Sequence, residues 1–352
     1  MSQGPAATSI QEAPVPFSGE PDPEDKSPAP DFIIRSGDAV DFHVHKTILS
    51  FASPFFNHMF SGAGNSGGMG EGGKSVDLQR DGKIVVVLPE SSAVLYRLLC
   101  LAYPAHSLVH YSLDAHNLDG VWEVHKSANK YLFIDVQNLV ENMLESPSLL
   151  DAHPHRVFAI ARLCDLHDIA RKAALSTLKS PICPPDLLFP ELDRPPASTF
   201  QKLSEFHHSC GRAAEQLAEA NLGPLDYTRE HKSITNSENE NCIFVWWIEG
   251  ASPEYHDGQC GPDVEWGYQG EWTVITPSPW FKNTMESLAP KLRFLPIRGT
   301  VATGLEVVAD ADRAMIDGCH ACLEHADRHL RDFWHQLGLR IEASNNTLAA
   351  VL

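Results

Sequence analysis

Asp31 to Phe60 is the stretch that most narrows what this chain can fold into. Two short runs of β-branched and aromatic residues, Phe32–Ile34 and Val40–Val44, are separated by Ser36-Gly37-Asp38. Strand formers around a glycine-containing polar break are hairpin chemistry. Helix signals follow at once. Lys46–Phe51 is a short apolar turn, and Ser53-Pro54 sets a capping hydroxyl before a proline at the first helical position. Phe55, Phe56, Met59 and Phe60 then fall at i, i+1, i+4 and i+5, a single wide apolar face. A hairpin feeding two short helices this apolar requires a core built from the residues that follow.

The same stretch carries a family resemblance. An Asp-hydrophobic-hydrophobic strand and a second strand ending near a histidine lead into His45-Lys46-Thr47-Ile48-Leu49-Ser50-Phe51-Ala52-Ser53-Pro54-Phe55-Phe56. The joint spacing of His-Lys, Leu, Ser and Phe-Phe resembles the BTB/POZ domain rather than a generic α+β hairpin. The resemblance implies an α+β fold, a small sheet with helical hairpins, with His45 packing at the strand–helix junction.

At 352 residues the chain has room for two domains with their own cores. Residues 1–30 are rich in Pro, Ser, Ala, Gly and acids and are expected to be a disordered tail. The BTB/POZ-like domain is expected over 31–150, and the helix pair Pro154–Cys164 and Leu166–Leu178 extends it over 151–180. Within the domain, Ile84–Leu88 reads as a buried strand closed by Pro89. Ser91 or Ser92 caps a helix that Pro104 ends, and Val121–Leu132 and Val136–Leu144 form a helical hairpin with Asp135 as the second cap. The six prolines of Pro181–Pro196 mark a linker, assigned to 181–198. A mainly α-helical C-terminal domain is expected over 199–340. It opens with a helix at Thr199–Ala220, continues through a strand-like Ile243–Ile248 and a helix around Trp280–Leu288, and ends with one long helix at Asp310–Leu337.

Gly68-Met-Gly-Glu-Gly-Gly73-Lys74-Ser75 satisfies the phosphate-loop pattern letter for letter. That loop chemistry needs a strand before it and a helix after it, whose N–H groups cradle phosphate. Here the order is reversed, and seven glycines between Ser61 and Ser75 generate the pattern easily by chance. Nucleotide binding is therefore not expected.

Eight cysteines in a chain that starts without signal-peptide features are expected as thiols or metal ligands. Cys319 and Cys322, and likewise His207 and Cys210, stand at i, i+3 on predicted helices. With Cys260 on a loop between them, Cys210, Cys260, Cys319 and Cys322 could close a tetrahedral structural zinc site, His207 being the reserve ligand. A single module using Cys319 and His329 is excluded, because ten helical residues span about 15 Å while zinc ligands lie about 2.0–2.3 Å from the metal. Two other readings stay open: buried cysteines as small hydrophobes, and a redox Cys-x-x-Cys, which normally sits at a helix N-terminus rather than mid-helix. His43 and His45 at a strand end are more simply structural. Trp246, Trp247 and Trp280 read as core of the C-terminal domain.

The formal net charge of −19 argues against a duplex-DNA footprint, which requires a basic face. No apolar run reaches the length of a membrane span. No nucleophile elbow, His-Glu-x-x-His helix or dinucleotide fingerprint appears, so no catalytic residues are assigned and an enzyme is not expected. What the resemblance implies is protein–protein interaction in the cytoplasm or nucleus: self-association as a homodimer, recruitment of a protein partner, and an adaptor role with a cullin-type ubiquitin ligase scaffold. The His-His-x-Cys and Cys-x-x-Cys placement resembles a BTB/POZ subfamily abundant in fungi. Two rival functions are a transcriptional regulator without direct DNA contact and an enzyme using the cysteine-containing C-terminal domain.

Overall fold

The computed structural model describes residues 9–19, 28–61, 78–103, 118–182, 189–220, 225–226, 265–266, 273–275, 277–301 and 304–352. The chain divides into two compact units, Met1–Ala170 and Arg171–Leu352.

The first unit is α+β. Strands β1 (Gln11–Glu12), β2 (Phe32–Arg35) and β3 (Val40–Val44) precede helices α1 (Lys46–Ala52) and α2 (Pro54–Phe60). Strands β4 (Leu78–Arg80) and β5 (Lys83–Val87) lead to α3 (Ser92–Ala102), α4 (Val121–Lys130), α5 (Ile134–Leu144), α6 (Pro147–Ala152) and α7 (Pro154–Leu163). Helix α8 (His167–Thr177) spans the division between the units. The sheet order is β1-β3-β2-β5-β4. The β2–β3 hairpin is antiparallel with Ile34 opposite Phe42, β5 runs parallel to β2, and β1 runs parallel to β3.

Local chemistry accounts for these turns. In the β2–β3 loop the Val40 N–H donates to Ser36 Oγ at 2.9 Å, and Asp38 accepts from the N–H and hydroxyl of Ser92, docking the loop on the start of α3. Gly37 is required there, since a Cβ would lie 2.6 Å from the Pro89 carbonyl oxygen. Asp81-Gly82, both at positive φ, make the two-residue β4–β5 turn. The Ser53 cap and Pro54 start of α2 follow the sequence expectation, with Phe56 N–H donating to Ser53 Oγ. Phe32, Phe42, Leu49, Phe56, Leu95, Leu98, Leu99, Val124, Ala128 and Tyr131 form one core.

Four expectations need correcting in this unit. The segment expected to be a disordered tail contains β1, and within it Ala13 and Phe17 are buried in the core. Two apolar residues among prolines show no periodicity, so only a socket elsewhere in the fold reveals them. Strand β5 is not uniformly buried: Val85 is, but Ile84 and Val87 are exposed. Helix α5 begins at Ile134 with Phe133 as its N-cap, so Asp135 lies inside the first turn instead of capping it. Helix α4 ends earlier than expected, at Lys130.

The second unit is mainly helical. Its described elements are α9 (Ala197–Glu219), a three-stranded sheet of β6 (Leu225–Asp226), β7 (Glu265–Trp266) and β8 (Thr273–Ile275), then α10 (Pro279–Phe294), α11 (Asp310–Asp317) and α12 (His320–Ala349). The expected strand at Ile243–Ile248, and Trp246 and Trp247 with it, lies outside the described residues. Trp280, Phe281, Met285, Leu288, Leu330, Phe333, Trp334 and Leu337 are the centre of the core. Helices α9 and α10 cross so closely that a Cβ on Gly211 would run into the Arg293 backbone carbonyl.

The single long helix expected at Asp310–Leu337 is two helices. Helix α11 stops at Asp317 with Gly318 as its C-cap, and Cys319, extended at φ −121°, is the N-cap of α12. Gly318 interrupts the helix where its low propensity is exploited, a break that the apolar periodicity on either side conceals.

Candidate functional site

Helix α4 ends in a tight reversal. Phe133 N–H donates to Ala128 O at 2.8 Å and Leu132 N–H to Asn129 O at 3.2 Å, the paired bonds of a Schellman motif. The residue at the reversal, Leu132, is left-handed at φ 56°. Glycine or asparagine is favoured there, because an L side chain in this region costs about 1–2 kcal/mol. Three contacts hold the reversal in place. Ser53 Oγ donates to Tyr131 O at 2.6 Å, Tyr131 Oη donates to Glu90 Oε2 at 2.6 Å, and Lys130 Nζ donates to Glu90 Oε1 at 2.7 Å. Burial, reinforced by the Glu90 carboxylate, pushes the Tyr131 phenol up to about 12, so it remains a donor. Burial would raise the Glu90 carboxyl, but the bonds from Lys130 and Tyr131 outweigh it and hold it below its ordinary range.

This framework presents apolar side chains outward. Leu132 is 42% exposed and Ile134 46%, and the Phe55 ring, 39% exposed, sits edge-on to Tyr131 at 5.4 Å. Phe51, at the end of α1, is 89% exposed. Buried beneath them, Phe56 stacks among Phe60, Tyr131 and Phe133. A rigid, strained support under exposed aromatic and aliphatic groups is suited to docking another protein surface. The sequence pattern located Phe55 and Phe56 but read both as core. Leu132 gave no signal, since a left-handed backbone cannot be seen in periodicity.

A second polar cluster lies across one face of the sheet. The buried Asp41 carboxylate takes Arg35 and Arg80, and Arg80 also reaches Glu12 on β1. His43 Nε2 meets Glu12 at 3.0 Å and its Nδ1 faces Lys83 Nζ at 3.3 Å, whereas His45 Nε2 contacts Pro28 O. The two histidines have separate structural partners and share none.

Of the zinc candidates, Cys260 lies outside the described residues. Cys319 and Cys322 are fully buried in the core of the helical unit, at the N-cap and third helical position of α12. That places the Cys-x-x-Cys at a helix N-terminus after all, the setting of reactive thiol pairs, but with both side chains shut off from solvent. Cys210 is buried on α9, and burial pushes its thiol up to about 12. His207 Nε2 is 3.1 Å from Thr177 O, which occupies the nitrogen as a donor. Among the described residues no three His, Cys, Asp or Glu side chains converge to hold a metal ion. Cys100 and Cys164 lie in the first unit, Cys100 within its core. The phosphate-loop pattern, residues 68–75, is outside the described residues; α2 precedes it and β4 follows it. No helix among the described residues is long and apolar enough to cross a membrane.

Residues 23–148 match the family model of the BTB/POZ domain. The match covers strands β2 to β5 and the helices around Glu90, Tyr131 and Leu132, so the chain carries a BTB/POZ domain, a protein-interaction fold, ahead of its mainly helical second unit. No curated protein matches the chain.

Proposed function

We propose, from the BTB/POZ domain this chain carries, that it is an adaptor: the domain self-associates as a homodimer and recruits a protein partner through the face bearing Phe55, Leu132 and Ile134. The observation that carries this reading is Leu132. A leucine stands at a left-handed position where glycine would be easier, and 42% of it is open to solvent. Strain retained under an exposed apolar group is explained by a contact made in a complex. Phe51 is the apolar group we assign to self-association, being nearly fully exposed on a short helix. The partner class that the family suggests is a cullin scaffold of a ubiquitin ligase.

The test uses the full chain. Sedimentation over a wide concentration range should show a dimer that Phe51→Glu dissociates. Calorimetry against a purified cullin N-terminal domain should show binding that Leu132→Asp abolishes while dimerisation persists. A wild-type chain that stays monomeric and binds no cullin overturns both parts.

A further inference from the structure

We propose that the edge of β3, with the socket lined by Phe42, Tyr96 and Tyr103, is a peptide-binding groove, occupied in cis by the chain's own N-terminal segment. Its ligand class is an extended peptide carrying a carboxylate and, five residues later, an aromatic side chain.

The self-segment shows how such a peptide is read. Gln11 N–H donates to Ala39 O and Ala13 N–H to Asp41 O, both at 2.9 Å, and His43 N–H donates to Phe17 O at 3.0 Å. This is strand addition to a sheet edge, in which main-chain bonds give affinity and side-chain pockets give choice. The first pocket is cationic: Arg80 Nη2 lies 2.5 Å and His43 Nε2 3.0 Å from the Glu12 carboxylate, with Lys83 behind the imidazole. The second is aromatic. Phe17 is buried with its ring 5.2 Å from that of Tyr103, 6.0 Å from Tyr96 and 6.1 Å from Phe42. Tyr96 Oη donates to Val15 O at 3.1 Å between the two pockets.

Two observations and one general consideration favour a groove with a replaceable occupant. The family match starts at residue 23, so groove residues from Phe42 to Tyr103 belong to the domain while the occupying segment lies ahead of it. The strand pairing is only two residues long, Ile10 remains exposed ahead of the first anchor, and Val15 remains exposed between the two. A tethered ligand also needs little intrinsic affinity, since attachment supplies an effective concentration of about millimolar order. A peptide with the same two anchors then competes once the tether is released or the ligand is better matched. This surface is separate from the Phe55–Leu132 face, and its test is independent of the adaptor reading.

The probe is a fluorescent peptide with the sequence Ile10–Gly19, titrated by anisotropy against full-length chains. Phe17→Ala, which empties the socket in cis, should raise peptide affinity at least about tenfold over wild type. The same peptide with Ala in place of its Phe should lose that gain, and Arg80→Ala added to Phe17→Ala should weaken binding. If Phe17→Ala keeps a cooperative melt and binds the peptide no better than wild type, the segment is plain packing and the proposal fails. Should Phe17→Ala not fold, hydrogen exchange on the wild-type chain decides. Excess peptide should deprotect the chain's own Gln11 and Ala13 amides while His43 stays protected; unchanged exchange overturns the groove. A wild-type dimer that Phe17→Ala dissociates would place a second copy's segment in the groove and overturn the cis occupancy.

Discussion

Asp41 and Arg35 are direct partners across the β2–β3 hairpin, and the guanidinium grips the carboxylate side-on, Nε to Oδ1 at 2.6 Å and Nη2 to Oδ2 at 2.9 Å. The Asp41 side chain has no exposed surface, and Arg80 completes its coordination from β4. Burial by itself would raise the Asp41 carboxyl, but hydrogen bonds from the two arginines outweigh it and hold it below its ordinary value. Removing one member of a buried ion pair strands the others, so Asp41→Ala should cost about 3–5 kcal/mol. The depressed carboxyl contributes stability that is present above its unfolded value of about 3.9 and is lost as pH falls through the folded value. Asp41→Asn should therefore flatten the acid limb of a urea-denaturation series below about pH 4; an acid limb like that of wild type would show that the cluster does not titrate as described.

Leu132→Gly separates stability from binding. Glycine relieves a left-handed strain of about 1–2 kcal/mol and gives back about 0.5–1 kcal/mol in backbone entropy. The melting temperature should hold or rise slightly while partner binding weakens. A clear drop in stability would mean that Leu132 packs in the free protein.

Ser53 joins α2 to α4. Its hydroxyl caps α2 and bonds the Tyr131 carbonyl, so Ser53→Ala should destabilise by about 0.5–2 kcal/mol for the cap, with a further loss from the orphaned carbonyl. Phe56→Ala, removing a fully buried ring, should cost about 3–5 kcal/mol. Equilibrium denaturation of the full chain, followed on signals from the first unit, measures both.

His207 makes the second unit acid-sensitive. Burial lowers its affinity for a proton below that of a free imidazole, against the smaller raising effect of the Thr177 carbonyl. The unfolded chain then takes up the proton first, so stability is intact above about pH 6.5 and falls as pH drops from there toward the lower folded value. His207→Gln, whose amide can still donate to Thr177, should remove that part of the decline. A decline below about pH 6.5 that His207→Gln leaves untouched would assign the effect to other groups.

Cys210 is expected to behave as a packing residue. Cys210→Ser should leave the metal content of purified protein unchanged, as measured by elemental analysis, while lowering stability through a buried hydroxyl. Loss of about one zinc per chain on this substitution would instead support the four-cysteine site.

What the sequence determined by itself is local. Phe32–Val44 could only be a hairpin because strand formers flank a glycine turn, and Ser53-Pro54 could only start a helix because a hydroxyl cap and a locked φ sit side by side. The longer helices from Ser92 to Thr177 were legible in the same way, from their apolar stripes, whereas the short α6 at Pro147–Ala152 was not. The tertiary structure decided everything that depended on a distant partner. Ser53 and Tyr131 are 78 residues apart, and their bond, with Glu90, sets the reversal that turns Leu132 outward. Phe17 looked like part of a tail because its socket of Phe42, Tyr96 and Tyr103 is assembled from two separate elements. The helix break at Gly318 was hidden because apolar residues continue on both sides, and only the packing of α11 and α12 shows that the stripe changes axis. Periodicity reports which face of an element is buried; what it is buried against is a property of the folded chain alone.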